Sequence, residues 1–581
     1  MGKDFGRERL TGTIMKYKAP TESALFLLRD VLKFDNDLSE PILNEAAKLC
    51  EEVIFPTNAA GDLGCERGVF TEVQVPPSFY EPYKKFSEGG WGALDVPEQY
   101  GGQGLPNVLF SAVNEFVCSS NMAFSLFPGI TKGAITAILA EGSDAYKQHY
   151  VPRMASGEWT GTMNLTEPHC GTDLGMLKTK AVDKKNGHYE ITGQKIFISC
   201  GEHDLTENII HLVLARVEGD PEGTKGISLF IVPKILADTT HNKLSVGSIE
   251  HKMGIKGSPA CVMNYDGAVG YLLGERGKGL NVMFHMMNEE RINCALQALG
   301  QSELAYQNAL EYARERIQSS RITDPKGPAV AIINHPDVRR MLLDIRCFNE
   351  AARLCLYEAA LLVQDNSVDA QERLGLITPV LKGMFTDYGF ENAVKAQQVF
   401  GGHGYIKEWG MEQIVRDVRI SQIYEGANGI QAMDLVGRKL PKNMGRGIRT
   451  FLKDSASFLT SAYENDINPI VQPMTVSLND LKMATEWLVE NGLKNPNNAG
   501  SAAYDYMEIF GIVLLGLAHI KICLATDDKD RHNTAQYFMD RIAPKTQFLL
   551  HRIKQGSDTM MKAALVVAVF KSIWAVEIES L

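Results

Sequence analysis

The sequence has little of what marks several large protein classes. Its ten cysteines, scattered from Cys50 to Cys523, contain no Cys-x-x-Cys pair and no metal-ligand spacing with nearby histidines, which argues against a zinc module or a disulfide framework. Reduced thiols in a cytoplasmic setting are expected, with no metal. The longest apolar stretch, residues 509–525, is broken by His519 and Lys521, so no membrane span is expected where about 20 apolar residues are needed. Positive charge is not in excess: 59 Lys and Arg stand against 70 Asp and Glu, for a net charge of -11. Nonspecific nucleic-acid binding needs clustered positive charge, so no nucleic-acid partner is expected. The first twenty residues lack the apolar core of a secretory signal, and no internal repeat or low-complexity tract is present. What remains is a chain of 581 residues, 45% hydrophobic and 22% charged, long enough for about three to five globular domains.

Periodicity divides the chain. After an N-terminal lead (1–40), residues 41–157 carry apolar side chains at helical spacing, such as Ile42, Ala46 and Leu49. Residues 158–275 change to short β-branched and aromatic runs separated by turn residues. There Asn186-Gly187 predicts a tight hairpin with φ > 0 at both positions. Residues 276–440 return to long helical patterns that should pack as a bundle, and 441–581 form a further helical block with loops expected at 465–473 and 494–501. The predicted fold is mainly α with an inserted β domain.

Two stretches hold the residues that could carry chemistry. One is Gln398-Val399-Phe400-Gly401-Gly402-His403-Gly404-Tyr405, followed by Arg416-Asp417 and by Tyr424-Glu425-Gly426-Ala427-Asn428. Its glycine-rich turns let backbone N–H groups approach a ligand closely. The other is Asn164-Leu165-Thr166-Glu167-Pro168-His169-Cys170-Gly171-Thr172-Asp173, with Gly193-Gln194-Lys195-Ile196-Phe197-Ile198-Ser199 after the hairpin. Hydroxyls beside an aromatic residue suit a planar ring system carrying phosphate. Taken singly, each has a plainer reading: Glu425 as a solvated loop carboxylate, Phe197 as a core side chain.

Taken together and in this order, the motifs resemble the acyl-CoA dehydrogenase family over residues 40–440. The matches are T-E-P-x-x-G-[ST]-D, G-x-K-x-[FW]-I-[ST], Q-x-x-G-G-x-G, an R-D pair and Y-E-G. The resemblance implies an N-terminal helical domain, a middle β-barrel and a C-terminal four-helix bundle, here with a helical C-terminal extension like that of the long bacterial branch. It also implies FAD as cofactor, with Leu165, Thr166, Thr172, Phe197 and Ser199 around it, and Arg316, Gln398 and Gly402 reaching the FAD of a neighbouring subunit. The family's commonest α-proton base falls on Glu425. A minority branch places its base just before an Arg in the first bundle helix, which here is Glu290 before Arg291. Tyr424 and Arg291 are the expected substrate contacts. The sequence departs from the family pattern at Ile317-Gln318 after Arg316 and at Ala427 after the Y-E-G loop.

The implied reaction is α,β-dehydrogenation of an acyl-CoA, either 3-methylmercaptopropionyl-CoA or a short to medium straight-chain thioester. An electron-transferring flavoprotein is the expected acceptor and a homodimer the expected assembly. Two alternatives share the fold. An acyl-CoA oxidase would pass electrons to oxygen. A DNA-associated flavoprotein would need a basic extension, but residues 441–581 hold 15 Lys and Arg against 15 Asp and Glu.

Overall fold

The computed structural model describes residues 15–34, 36–68, 73–465 and 467–565. Residues 1–14 of the N-terminal lead, and residues 566–570 of the apolar run 563–570, lie outside them.

The N-terminal helices centre on two adjacent core helices, α1 (Asn107–Ser120) and α2 (Met122–Glu141). Every residue of α1 is buried. Asn121 separates the two helices by adopting extended backbone while its side chain accepts from the Phe124 N–H, satisfying one of the free donors at the start of α2.

The β domain follows, with β1 (Trp159–Asn164), β2 (Lys180–Asp183), β3 (Tyr189–Ser199), β4 (Asn208–Val217), β5 (Ile227–Pro233), β6 (Leu244–Ile249) and β7 (Ala260–Leu273). The strands run in the order β1-β4-β2-β3-β7-β5, and an additional β4–β5 pairing closes the path into a barrel. Strand β6 pairs with β7 outside this path. Alternation in β3 sends Ile191 inward, and the register irregularity after Lys195 brings Ile198 to the same side, against Val213, Phe230 and Met263, which form the barrel's own core. The β2–β3 hairpin forms, but not through the expected two-residue turn. Its loop spans 184–188, with positive φ at Lys185 and Gly187 and not at Asn186. The Asp183 carboxylate accepts from the Lys185 N–H and holds that wider loop.

Three long helices make the bundle: α3 (Gly279–Glu315), α4 (Pro336–Gln364) and α5 (Val368–Val399). Short helices α6 (Met411–Val418) and α7 (Asn428–Asp434) complete it. Arg353 on α4, buried, donates to both oxygens of Glu115 on α1 at 2.8 and 3.1 Å and to Glu303 on α3 at 3.0 Å. Removing one member would leave an uncompensated buried charge, at a cost of about 3–5 kcal/mol.

The extension folds as α8 (Arg446–Tyr463), α9 (Asn468–Gly492), α10 (Pro496–Leu524), α11 (Lys529–Arg541) and α12 (Lys545–Lys554). Both loops expected here are shorter than the sequence suggested. Pro473 lies inside α9, and Pro496 opens α10 at N1, where a missing N–H costs nothing. Helix α10 packs against α4, α5, α7 and α9. Helices α2 and α10 are long and apolar enough to cross a membrane, but 83% of each apolar window is buried inside the protein. Their apolar character is therefore explained by core packing.

Candidate active site

Strand β1 delivers Leu165 and Thr166 into the turn that bears Glu167, and one buried lysine fixes that turn. Lys195 Nζ on β3 donates to the Leu165 carbonyl at 2.9 Å and to Glu167 Oε1 at 2.8 Å. Glu167 also accepts from the Thr179 hydroxyl at 2.6 Å and the Lys178 N–H at 2.7 Å. Burial opposes its charge, but Lys195 and these donors outweigh burial and hold the carboxyl below its ordinary value. Glu167, His169 and Cys170 lie close enough to suggest a metal, yet the carboxylate oxygens are already occupied by this lock. In the sequence Lys195 and Glu167 stand only as letters of two motifs. The signal was that Lys195 falls on the same alternation as Ile191, the inward-facing side of β3, where a charge needs a buried partner.

Beyond Lys195 the pairing of β3 with β7 slips, with a register irregularity between Lys195 and Ile198. Phe197 falls there at φ 58 and is 60% exposed. It is not the core aromatic that its sequence context alone suggests. Leu165 is buried, Thr166 and Ser199 are half-buried, and Thr172 is exposed on the same turn. An apolar ring held out by strained backbone beside free hydroxyls fits a flat, polar-edged cofactor, and FAD has that chemistry. Arg316, Gln398 and Gly402 lie elsewhere, at the C-terminal ends of α3 and α5. Arg316 and Gly402 line one cleft of about 470 Å³ with Tyr312, Phe400 and His403. A Cβ built at Gly401 or Gly402 meets nothing, so this rim is open.

The Arg416-Asp417 pair joins the parts of the molecule. Arg416 donates to both oxygens of Asp62 at 2.7 and 2.8 Å, to Glu412 and to the Met253 carbonyl. Asp417 accepts from the Ile255 N–H at 2.5 Å. N-terminal domain, β domain and bundle thus meet just before the Glu425 loop.

That loop is held at several points. Glu425 adopts φ 56 and Gly426 φ 89, and a Cβ at 426 would stand 2.5 Å from Gln431 Nε2, so glycine is required there. Gln431 Nε2 donates to the carbonyls of Glu425 and Gly426, both at 3.1 Å. Lys382 Nζ donates to the Gly426 carbonyl at 2.7 Å, and the Tyr424 hydroxyl donates to Gln297 on α3. Lys382, Gln431 and Gln297 were not identified from sequence. Lys382 had one signal, a charge within the apolar run of α5.

Facing the loop, α3 carries Glu290, Arg291 and Cys294. Glu290 is 4% exposed, so it is not the solvated helical carboxylate its charged context suggests. Glu290 Oε1 stands 3.4 Å from Asn293 Nδ2 and 2.9 Å from a Cβ built at Gly133 of α2. Arg291 Nη1 reaches Asp434 Oδ2 at 3.5 Å. Two buried polar atoms here, Arg291 Nε and Gln431 Oε1, have no hydrogen-bond partner among the described residues. Burial pushes Glu425 up to about 7 against the opposing pull of Arg291 and Lys382. Burial, and then the charge of Glu425, raise Glu290 well above the ordinary carboxylate range. The site therefore pairs a carboxylate poised near neutrality with a carboxylic acid that keeps its proton.

Comparison with known proteins agrees with this architecture. The N-terminal, middle and C-terminal domains of the acyl-CoA dehydrogenase family match residues 38–158, 162–268 and 277–440, and an acetyl-CoA dehydrogenase C-terminal-like domain matches 446–564. The chain is 38% identical to 3-methylmercaptopropionyl-CoA dehydrogenase of Ruegeria pomeroyi, over 95% of this chain and 100% of that protein. It is 38% identical to a butyryl-CoA dehydrogenase of Syntrophomonas wolfei over 71% and 72% of the two chains. The crystal structure of Caenorhabditis elegans ACDH-11 in complex with C11-CoA superposes with a TM-score of 0.82 at 18% identity, covering 97% of this chain and 98% of that one. With its β-barrel between helical domains and a fourth domain, also helical, packed on the bundle, the chain belongs to the acyl-CoA dehydrogenase family, whose enzymes depend on FAD.

Proposed function

We propose that Glu425 is the base of an acyl-CoA dehydrogenation, removing the α-proton of the thioester, and that the substrate is 3-methylmercaptopropionyl-CoA. The observation that carries the first part is the loop: a carboxylate at about 7, on strained backbone, braced from α3, α5 and α7. A base with that pKa is about half ionised near neutral pH and strong enough to accept a weakly acidic carbon-bound proton. Arg291 and Lys382 favour its ionised form before the proton is taken. Glu290, protonated beside it, adds no second charge. Leu165, Thr166, Thr172, Phe197 and Ser199 would hold FAD, which supplies the hydride acceptor when bound. Tyr424 and the unpaired Nε of Arg291 are the proposed substrate contacts.

The substrate rests on the full-length match to the Ruegeria enzyme; butyryl-CoA is the second reading, from the Syntrophomonas match. Anaerobic titration of FAD-loaded protein tests both. Bleaching of flavin absorbance should be fastest with 3-methylmercaptopropionyl-CoA, and a clear preference for butyryl-CoA would replace it. We further propose an electron-transferring flavoprotein as acceptor, a cytoplasmic homodimer as the working form, and the open rim of Arg316, Gln398 and Gly402 as the part of the site facing a second subunit. Reoxidation by oxygen faster than by that flavoprotein would identify an oxidase instead. A monomer by light scattering would remove the dimer.

A further inference from the structure

The extension reaches the catalytic loop through an unbroken line of hydrogen bonds. Tyr504 on α10 donates its hydroxyl to Asp387 Oδ2 on α5. Asp387 Oδ1 accepts from Asn428 Nδ2 at 2.8 Å and from Gln422 Nε2 at 2.6 Å. Asn428 Oδ1 accepts from Lys382 Nζ at 2.9 Å, and that same ammonium donates to the Gly426 carbonyl. The path runs from the extension to the carbonyl beside Glu425 in four side chains. Its geometry is tight, because α10 comes so near α5 that a Cβ at Gly383 would stand 2.3 Å from Met507 Sδ.

Lys382 is fully buried, so its ammonium depends on fixed oxygens and on the negative charges near it. Asp387 is one of those charges and Glu425 another. Asp387 is in turn oriented by three donors, one from each of Tyr504, Asn428 and Gln422. Only Tyr504 belongs to the extension.

We infer that Tyr504 is a positioning residue for the reaction, holding the Glu425 loop in place through Asp387, Asn428 and Lys382. A segment outside the three common domains thereby supports the active site. The inference rests on the reading of Glu425 as base.

The pH behaviour has a definite sign. Glu425 is faced by Glu290, Arg291 and Cys294 from α3, by Lys382 from α5 and by Tyr424 of its own loop, while Asp434 and Arg438 lie behind Arg291. Asp387 is faced by Glu391 on α5 and by Tyr504 on α10, where Glu508 and the Lys545 ammonium of α12 lie close by. Lys382 holds the Glu425 carboxyl down. Loosening Lys382 therefore raises it and moves the rising limb of the rate profile to higher pH.

The test compares FAD-loaded full-length protein carrying Tyr504→Phe with Tyr537→Phe, which removes a different extension-to-bundle bond, Tyr537 to Asp344 Oδ1 at 2.8 Å. Anaerobic bleaching is followed against pH, with amide exchange of residues 424–428. For Tyr504→Phe the expected result is faster exchange, a rate about three- to tenfold lower at neutral pH, recovery at alkaline pH and unchanged FAD content. Tyr537→Phe should leave exchange and profile as in the wild type. If Tyr504→Phe behaves like Tyr537→Phe, the inference is wrong. Faster exchange with an unmoved profile also overturns it. A parallel Glu425→Gln protein that bleaches normally would then place the fault in the choice of base and not in the hydrogen-bond path.

Discussion

Glu290 and Glu425 lie in one desolvated site, and the charge of the second is a main reason, after burial, that the first keeps its proton. Glu425 has two cations, Arg291 and Lys382, working against its own burial, whereas the largest influences on Glu290 all favour protonation. Two carboxyl groups of the same chemistry are thereby assigned different states by their surroundings.

The first prediction follows from that asymmetry. Glu425→Gln removes the acceptor and should slow anaerobic bleaching by about 10²–10⁴-fold, with FAD retained. Glu290→Gln replaces a neutral acid with a neutral amide of the same shape, so its rate should stay within several-fold of wild type. Bleaching lost with Glu290→Gln and kept with Glu425→Gln would show the base to be Glu290.

Acidity gives a second prediction. The base works ionised, so the bleaching rate should climb through pH about 7 and level off above it. Stability should run the other way. Glu425 is raised from its ordinary 4.5, so the folded protein binds the extra proton and loses stability as pH rises between those values. Melting curves should show Glu425→Gln gaining relative to wild type over that window and holding the gain above it. Equal offsets at pH 4 and pH 8 would contradict the raised value.

A third concerns the lock behind Phe197. Glu167→Gln leaves Lys195 buried without its counter-charge, which should cost about 3–5 kcal/mol and release the Leu165–Thr166 turn. The purified variant should lose FAD on gel filtration while Lys180→Ala, at an exposed position of β2 outside the proposed FAD contacts, retains it. Full retention by Glu167→Gln would reduce the lock to a structural detail.

The fourth tests the extension as a whole. Ending the chain before Pro441 removes α8 to α12 and strips the cover from the α4 and α5 faces that α10 packs on. Exposed apolar surface of that size drives association, so aggregation or altered assembly is expected by light scattering. A well-behaved truncated protein with normal bleaching would count against both this packing role and the Tyr504 path.

Much of the fold was legible because it depends on local repetition. A 3.6-residue apolar period over 283–318 and 338–363 predicts α3 and α4 to within a few residues, and short β-branched and aromatic runs mark β1, β3, β4 and β5. Strand β6, residues 244–249, is not legible in the sequence because it carries only a weak apolar pattern outside the closed barrel path, and the 184–188 loop differs because the Asp183 side chain, not the Asn-Gly dipeptide, organises it.

The sequence by itself determined that Glu425 sits in a Tyr-Glu-Gly loop, that Phe197 follows Lys195 by two residues, and that a helical block without net charge follows residue 440. Only tertiary structure decided what those residues are. Phe197 is exposed because strand pairing slips beside it, Lys195 is a lock because Glu167 is brought to it, and Glu290 is a neutral acid because α2 closes over it at Gly133. Charge state and exposure are properties of surroundings, and the groups that set them here, Lys382, Arg291 and Asp387, come from two helices that lie far from the loop in sequence and meet it only when the bundle closes.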